Sequence, residues 1–258
     1  MTSTELSGIS TKSGSKRADR IRLLVQPAVV LVLVAAVVTW ALTRENDVIE
    51  AESLNANTLL TKTWEHLLIT AVVTALVIGV AVPLGVLLTR SWARPAAPLF
   101  LGIANIGQAA PALGVLVLFF LWTEQEGLWA AALPIAFYSL LPVLRNTIVG
   151  IYSVDPTLVD AGRGIGMSSL GVLLRIELPL AVPMILAGLR TSLVLAVGTA
   201  TLAFFVNGGG LGELIDAGYK LNRTTVLVVG AVLAVGVALL VDWFGAVLEK
   251  YFGPKGLS

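Results

Sequence analysis

Residues 66–90 read HLLITAVVTALVIGVAVPLGVLLTR, and this stretch decides the fold class. No Asp, Glu, Lys or Arg lies between His66 and Arg90, and the run exceeds the roughly 20 apolar residues that an α-helix needs to cross a bilayer. It also lacks the alternation of apolar and polar residues that a strand of a membrane barrel requires. Because hydrocarbon cannot satisfy free backbone polar groups, we predict a membrane-spanning α-helix here.

The composition of the whole chain extends this prediction. Its 258 residues are 57% hydrophobic and 13% charged, which lies outside the range of ordinary soluble domains. We predict an all-α polytopic membrane protein with about six spans. The predicted spans are Leu23–Leu42, His66–Leu88, Pro98–Leu121, Leu128–Ile151, Leu180–Val206 and Thr224–Val241. A cytosolic disordered tail at residues 1–22, rich in Ser, Thr and Lys, is expected to precede one transmembrane domain at residues 23–258.

Several classes of function are not indicated by this sequence. It contains no cysteine, which excludes disulfides, thiol catalysis and thiolate metal sites. No segment matches the phosphate-binding pattern G-x-x-x-x-G-K-[ST], and a net charge of +1 gives no case for a nucleic-acid partner. We predict no catalytic, cofactor or metal site. The single histidine, His66, is expected to lie with Trp64 at a membrane interface, where amphipathic rings concentrate.

The distribution of Lys and Arg predicts the orientation of the chain. With an inside N-terminus, most of the 17 basic residues fall on the cytosolic side or at its edge, as the positive-inside rule requires. The exceptions are Arg44, Lys62, Lys220 and Arg223 on the outer side, and Arg190 inside the fifth span. Six spans then place both termini in the cytosol.

The longest predicted cytosolic connection covers about residues 153–179 and has clear helix signals. Asp155 followed by Pro156 is a favourable helix start, and the first short helix is expected over Leu158–Arg163. Glycines then allow a sharp turn, and Ser168 or Ser169 is expected to cap a second short helix. The Leu178-Pro179 pair is predicted to end that helix and turn the chain into the fifth span.

The same connection contains DAGRGIGMSSLGVLLRIELP at residues 160–179, which resembles the EAA loop of ABC importer permeases. That pattern is EAA, three residues, Gly, nine residues, Ile, any residue and Leu-Pro. Asp replaces Glu, and Gly replaces the second Ala. The resemblance implies that this loop couples the permease to a cytosolic ATPase. The residues that match the pattern are Asp160, Ala161, Gly162, Gly166, Ile176, Leu178 and Pro179.

Longer stretches resemble permeases of the osmoprotectant importers. They include FYSLLPVLRNTIVGI at residues 137–151 and AGLRTSLVLAVGTATLAFFVNGGGLGELI at residues 187–215. The resemblance implies a type I ABC importer permease, not itself an enzyme, that moves glycine betaine, choline, carnitine or proline betaine by alternating access. It also implies ATP bound by partner ATPase subunits, a second permease subunit, identical or related, and an extracytoplasmic binding protein. An importer for methionine or another amino acid and an ATP-independent secondary carrier are the alternatives.

Polar side chains inside the spans are candidates for the passage or for helix packing, because burying them in lipid is costly. Five such residues are Gln108, Arg145, Asn146, Arg190 and Asn207. For Arg190, snorkelling or an inter-helix ion pair and a role in transport are both open. The glycines that follow Asn207 suit either a flexible outer loop or a plain turn.

Overall fold

The computed structural model describes the backbone of residues 8–252 and the side chains of residues 24–251. Within that range the chain forms eleven α-helices and no β-strand. The helices are α1 (Gly8–Leu42), α2 (Val48–Ser53), α3 (Ala56–Leu88), α4 (Ala97–Ala109), α5 (Ala112–Thr123), α6 (Leu128–Tyr152), α7 (Pro156–Gly164), α8 (Ser169–Val172), α9 (Leu178–Ala200), α10 (Gly212–Lys220) and α11 (Thr224–Phe252). A π-helical turn, Leu173–Glu177, joins α8 to α9.

Five helices in the described part are long and apolar enough to cross a membrane: α1, α3, α6, α9 with the turns before it, and α11. The predicted third span, Pro98–Leu121, is wrong as a single helix, because it breaks into α4 and α5 with a bend of 103°. Pro111 has no backbone N–H and disfavours helical geometry at the residue before it. Ala110 is accordingly extended, with ψ at 147°.

The bent pair nevertheless connects the two ends of the bundle. Arg90, which precedes α4, contacts Glu177 at the start of α9, and Gly127, which follows α5, donates its N–H to the carbonyl of Val206 beyond the end of α9. These contacts lie at opposite ends of a 23-residue helix. The pair therefore counts as one broken span, and the prediction of about six transmembrane helices is confirmed.

The spans divide the molecule into two ends. The loop end carries residues 153–177, and the glycine end carries residues 201–223. Helix α6 lies at the centre and packs against α3, α4, α5 and α9, while α1 packs against α11 at the side. The structure therefore has α6 at the centre of a buried core, with the contact between α1 and α11 at its side.

Close approaches to α6 occur at glycines. A Cβ atom at Gly85 of α3 would lie 2.7 Å from the Cβ of Thr147, and one at Gly188 of α9 would lie 2.7 Å from the Cβ of Asn146. By contrast, the exposed Gly79 has no neighbour within 4 Å of such an atom. These glycines thus allow α3 and α9 to pack closely against α6.

The first helix and the predicted tail overlap. Helix α1 begins at Gly8, so residues 8–22 continue the span as helix where the sequence predicted disorder. A helix that is already formed adds further turns at little cost, because nucleation is the expensive step. The remainder of the predicted tail, residues 1–7, lies outside the described residues.

We expect Gly188→Leu to destabilise the protein by about 1–3 kcal/mol, the usual cost of overpacking a close helix contact. The measurement is the melting temperature and the yield of monodisperse protein after detergent extraction. Gly79→Leu is the matched control and should change neither quantity, because that glycine has open space around it. Equal losses at both positions would contradict the packing described for α6 and α9.

Candidate functional site

Helix α7 starts as the sequence predicts. The Asp155 carboxylate accepts hydrogen bonds from the backbone N–H of Thr157 at 2.9 Å and from its hydroxyl at 2.8 Å. These hydrogen bonds lower the pKa of Asp155 below its ordinary value. Pro156 occupies the first helical turn, where its missing N–H costs nothing. The start of the loop is therefore fixed by its own residues.

The end of α7 is a tight turn that needs a glycine. Gly166 has φ at +86°, in the left-handed region that side chains with a Cβ disfavour. Its N–H donates to the carbonyl of Arg163, and the N–H of Met167 donates to that of Gly162 at 3.1 Å. Ser168 then caps α8 by accepting from the N–H of Gly171. The predicted helix, glycine turn and helix are all present.

Gly162 and Ile176, two residues of the EAA-like pattern, are brought together. A Cβ atom at Gly162 would lie 2.6 Å from the Cδ1 of Ile176. The end of the Ile176 side chain therefore packs directly over the backbone of Gly162. Asp160 is exposed and lies 4.0 Å from Arg163, so its carboxylate remains accessible from outside the chain.

The predicted end of the second short helix is wrong. The Leu178-Pro179 pair does not break the chain, because α8 runs through the π-helical turn directly into α9. The N–H of Leu178 donates to the carbonyl of Leu173, five residues earlier. Pro179, which has no backbone N–H to donate, lies directly after the π-helical turn. The loop and the fifth span therefore form one connected helical segment.

Apolar side chains are exposed on this loop. Ile165 at the tip is 82% exposed and Leu170 on α8 is 63% exposed, with Leu158 and Leu174 about half exposed. Apolar groups clustered at the loop end of the bundle indicate a surface that a partner covers. We name this set of four residues the loop patch.

An ion pair that sequence reasoning missed supports the loop. Arg90, two residues past the end of α3, places Nη2 at 2.6 Å from Oε2 of Glu177, whose side chain is only 9% exposed. The same guanidinium donates to the hydroxyl of Thr89 at 2.9 Å. The sequence signal for this ion pair was a carboxylate between two apolar residues, Ile176 and Leu178. The pair ties the end of α3 to the base of the loop.

Removing one partner of this pair leaves the other charge partly buried. We expect Glu177→Leu to cost about 3 kcal/mol, the lower end for buried pairs, because the Arg90 side chain keeps 27% exposure. The double variant Arg90→Met with Glu177→Leu should recover most of that loss, since no unpaired charge remains. Thermal unfolding of the purified protein measures both. A double variant whose loss of stability exceeds the sum of the losses in the two single variants would contradict this account.

Arg190 forms an inter-helix ion pair. Its Nε lies 2.6 Å from one oxygen of Asp242 and its Nη2 lies 2.9 Å from the other, while Glu249 is 3.7 Å away. Both carboxylates belong to α11, so the arginine joins α9 to α11. This contact matches the packing alternative for Arg190.

The other polar residues of the spans do not form one cluster. Asn146 is half-buried and packs against Gly188, and Gln108 is half-buried beside the close contact of Gly107 with Phe137. Arg145 is exposed on α6, and the described residues offer it no hydrogen bond or ion pair. Counted at 1.5 Å per residue, Arg145 lies about 10 Å before the end of α6 at Tyr152.

At the glycine end, the loop after α9 is packed rather than free. Asn207 is in the left-handed region at φ +56°, and its amide donates to Glu126 at 3.4 Å. Gly210 is buried, and its N–H donates to Glu65 of α3 at 2.9 Å. The glycines after Asn207 therefore form a fixed turn, and the alternative of a flexible outer loop does not apply.

His66 is not the interfacial ring that the sequence predicted. It is fully buried while Trp64 is 67% exposed, because Gly210 folds over α3 and covers the imidazole. Neither ring nitrogen has a hydrogen-bond partner in the described part of the chain. Within the same part, no group of three or more His, Asp or Glu side chains is placed to hold a metal ion.

A bundle of about six spans with a structured, partly apolar loop at one end defines a multi-pass membrane protein. Comparison with known sequences specifies the class further. The chain belongs to the family described as binding-protein-dependent transport system inner membrane component, which it matches over residues 81–252. It is therefore an inner-membrane permease component, and the resemblance seen in the loop is confirmed.

Several curated relatives are similar over most of their length. The chain is 43% identical over 204 residues to the glycine betaine/carnitine/choline transport system permease protein OpuCB of Bacillus subtilis (strain 168), covering 79% of this chain and 93% of that protein. It is 42% identical to the choline transport system permease protein OpuBB of the same organism, with the same coverage. The osmoprotectant import permease protein OsmW of Salmonella typhimurium is 36% identical, with 79% and 95% covered.

Solved structures support the same fold. A chain of the inward-facing MetNI methionine ABC transporter aligns with a TM-score of 0.65 and 23% identity, covering 76% of this chain and 97% of that chain. At that identity the likeness shows the type I ABC importer permease fold and nothing about the substrate.

Proposed function

We propose that this chain is the permease subunit of an ATP-driven importer that moves small osmoprotectants, such as glycine betaine, choline, carnitine or proline betaine, by alternating access. The observation that carries the proposal is the exposed loop at residues 153–177, which is rigidly built and has uncovered apolar side chains. The substrate class rests on the relatives named for glycine betaine, carnitine and choline. The methionine alternative has only the shared fold in its support.

In this proposal the loop patch docks into a cytosolic ATPase subunit, which binds ATP. Asp160, Ala161, Gly162 and Gly166 form the docking helix and its turn, and Ile176 holds that helix against α8. Leu178 and Pro179 lie in the first turn of α9, so a displacement of the loop moves the fifth span directly. The pair of Arg90 and Glu177 carries the same displacement to α3.

A second permease subunit, identical or related, completes the passage, and an extracytoplasmic binding protein delivers the substrate. The exposed side of α6 that carries Arg145 is the surface we assign to the passage between the two subunits. An unpaired arginine facing lipid is costly, whereas one facing a water-filled passage is not. Asn146 is the next residue of α6 and Gln108 lies apart on α4, while Arg190 and Asn207 have structural partners.

The loop end is cytosolic in this proposal, and both termini lie on that side. The excess of Lys and Arg at this end supports the assignment. Because the chain contains no cysteine, single-cysteine variants report on it directly. In right-side-out vesicles, a membrane-impermeant maleimide should label Tyr219→Cys at the glycine end and spare Ser169→Cys on α8, since both sites are exposed. Labelling of Ser169→Cys in intact vesicles, together with labelling of Tyr219→Cys only after lysis, would overturn the orientation.

A tryptophan on the loop should block docking without disturbing the permease. A Cβ atom at Gly164 has no neighbour within 4 Å, so Gly164→Trp fits this chain and obstructs only a partner. We expect this variant to reach the membrane normally but to lose co-purified ATPase and at least tenfold of the uptake of labelled glycine betaine and choline. Gly164→Ala is the matched control and should behave as the wild type. The assay uses cells that lack their own osmoprotectant importers. These cells express the permease together with the ATPase and the binding protein from neighbouring genes.

Each outcome of that assay bears on a different part of the proposal. Wild-type uptake of neither compound would overturn the substrate class. Uptake that persists without the ATPase would overturn the importer and favour an ATP-independent carrier. Full activity of Gly164→Trp would move the docking surface away from the loop patch.

A further inference from the structure

A polar cavity opens at the glycine end, between α3, α10 and the turn that follows α9. Its volume is about 340 Å³, within the lower range of ligand pockets. The charged lining residues are Lys62, Glu65 and Glu213, and the remaining wall combines Leu68, Ile69 and Leu128 with the residues 207–209. None of these residues belongs to the loop patch or to the exposed side of α6 that carries Arg145.

The charges in the cavity are unbalanced. Lys62 Nζ lies 2.5 Å from Oε2 of Glu213 and 3.0 Å from Oε2 of Glu65. One ammonium thus faces two carboxylates, which leaves a net charge of −1 when all three groups are ionised. The cavity therefore favours a cation.

The rest of the wall restricts which cation fits. Leu68, Ile69 and Leu128 offer aliphatic carbon and no hydrogen-bonding side chain. A small hydrated metal ion needs several oxygen ligands at short distances, and the described part of the chain has no group of three or more His, Asp or Glu side chains placed to hold one. A quaternary ammonium group has a delocalised positive charge and methyl groups that make apolar contacts. Carboxylates on one side and aliphatic side chains on the other match both properties.

We propose that this cavity is an entry site for the trimethylammonium group of the transported substrate. Glycine betaine, carnitine and choline, for which the relatives are named, all contain this group. The inference rests on the proposed function and adds to it a site at the outer end of the passage. Glu65 and Glu213 attract the charge, the aliphatic wall contacts the methyl groups, and Lys62 keeps the net charge low enough for rapid release.

A low net charge suits a site of transit. An uncompensated pair of carboxylates would hold a cation firmly, whereas Lys62 offsets one of them. The site also lies directly against the fixed turn, since Glu65 accepts the N–H of Gly210. Substrate in the cavity thus touches the segment that joins α9 to α10.

The test is direct binding to the purified complex of permease and ATPase in lipid nanodiscs without the binding protein. Saturation-transfer NMR on the methyl protons of choline, titrated with choline, gives the dissociation constant, and tetramethylammonium serves as a competitor. Glu213→Gln removes the net charge and should weaken binding at least fivefold. Lys62→Gln raises the net charge to −2 and should tighten binding at least threefold. Asp216→Asn is the matched control on α10, because Asp216 pairs with Lys220 outside the cavity, and it should change nothing.

Opposite effects of the two charge variants distinguish a binding site from a structural ion pair. If Glu213→Gln and Lys62→Gln both weaken choline binding, or if the wild type gives no methyl signal, the cavity is not the entry site. Variants are compared only where their melting temperatures match that of the wild type, and Glu213→Ala, which also removes the net charge, replaces Glu213→Gln if that variant does not fold. Choline uptake by the complete wild-type system is measured in parallel. Uptake without a methyl signal overturns this inference alone, whereas absence of uptake overturns the proposed function.

Discussion

The architecture depends on close contact between helices that have no hydrophobic reason to associate. In a bilayer the lipid is as apolar as a leucine side chain, so helices are held together by tight packing and a few polar contacts. Gly85 and Gly188 allow α3 and α9 to reach α6, and Ser192 of α9 adds a hydrogen bond to the carbonyl of Ser139. Helix α1 lacks this depth of burial. Helices α3, α6 and α9 therefore form one closely packed unit.

That unit is joined to the loop by two different connections. One is covalent and helical, through the π-helical turn into α9. The other is electrostatic, between Arg90 and Glu177, whose side chain is almost buried. A loop connected at two points resists tilting relative to the helices, so a partner that displaces it moves α3 and α9 together. This stiffness is what a coupling element requires, because a flexible loop would absorb the displacement.

The sequence predicted the features that depend on local chemistry. Apolar length identified the spans, Asp155 identified the start of α7, and Gly166 identified the turn after it. Features that depend on contacts between distant segments were missed. The pairing of Arg90 with Glu177 joins residues 87 positions apart, and His66 is buried by a turn that follows the fifth span. The bend at Pro111 had a local signal, but the apolar residues on both sides concealed it.

The π-helical turn also sets the direction in which the loop patch faces. Each residue of a regular α-helix advances about 100° around the axis, whereas a π turn accommodates one extra residue per turn. The side chains before the turn are therefore out of phase with those after it by about one residue. Leu170 and Leu174, at 63% and 53% exposure, point away from the bundle while α9 keeps its small residues against α6. A single additional residue thus lets one continuous helix turn one face to the bundle along α9 and leave a different face exposed at the loop.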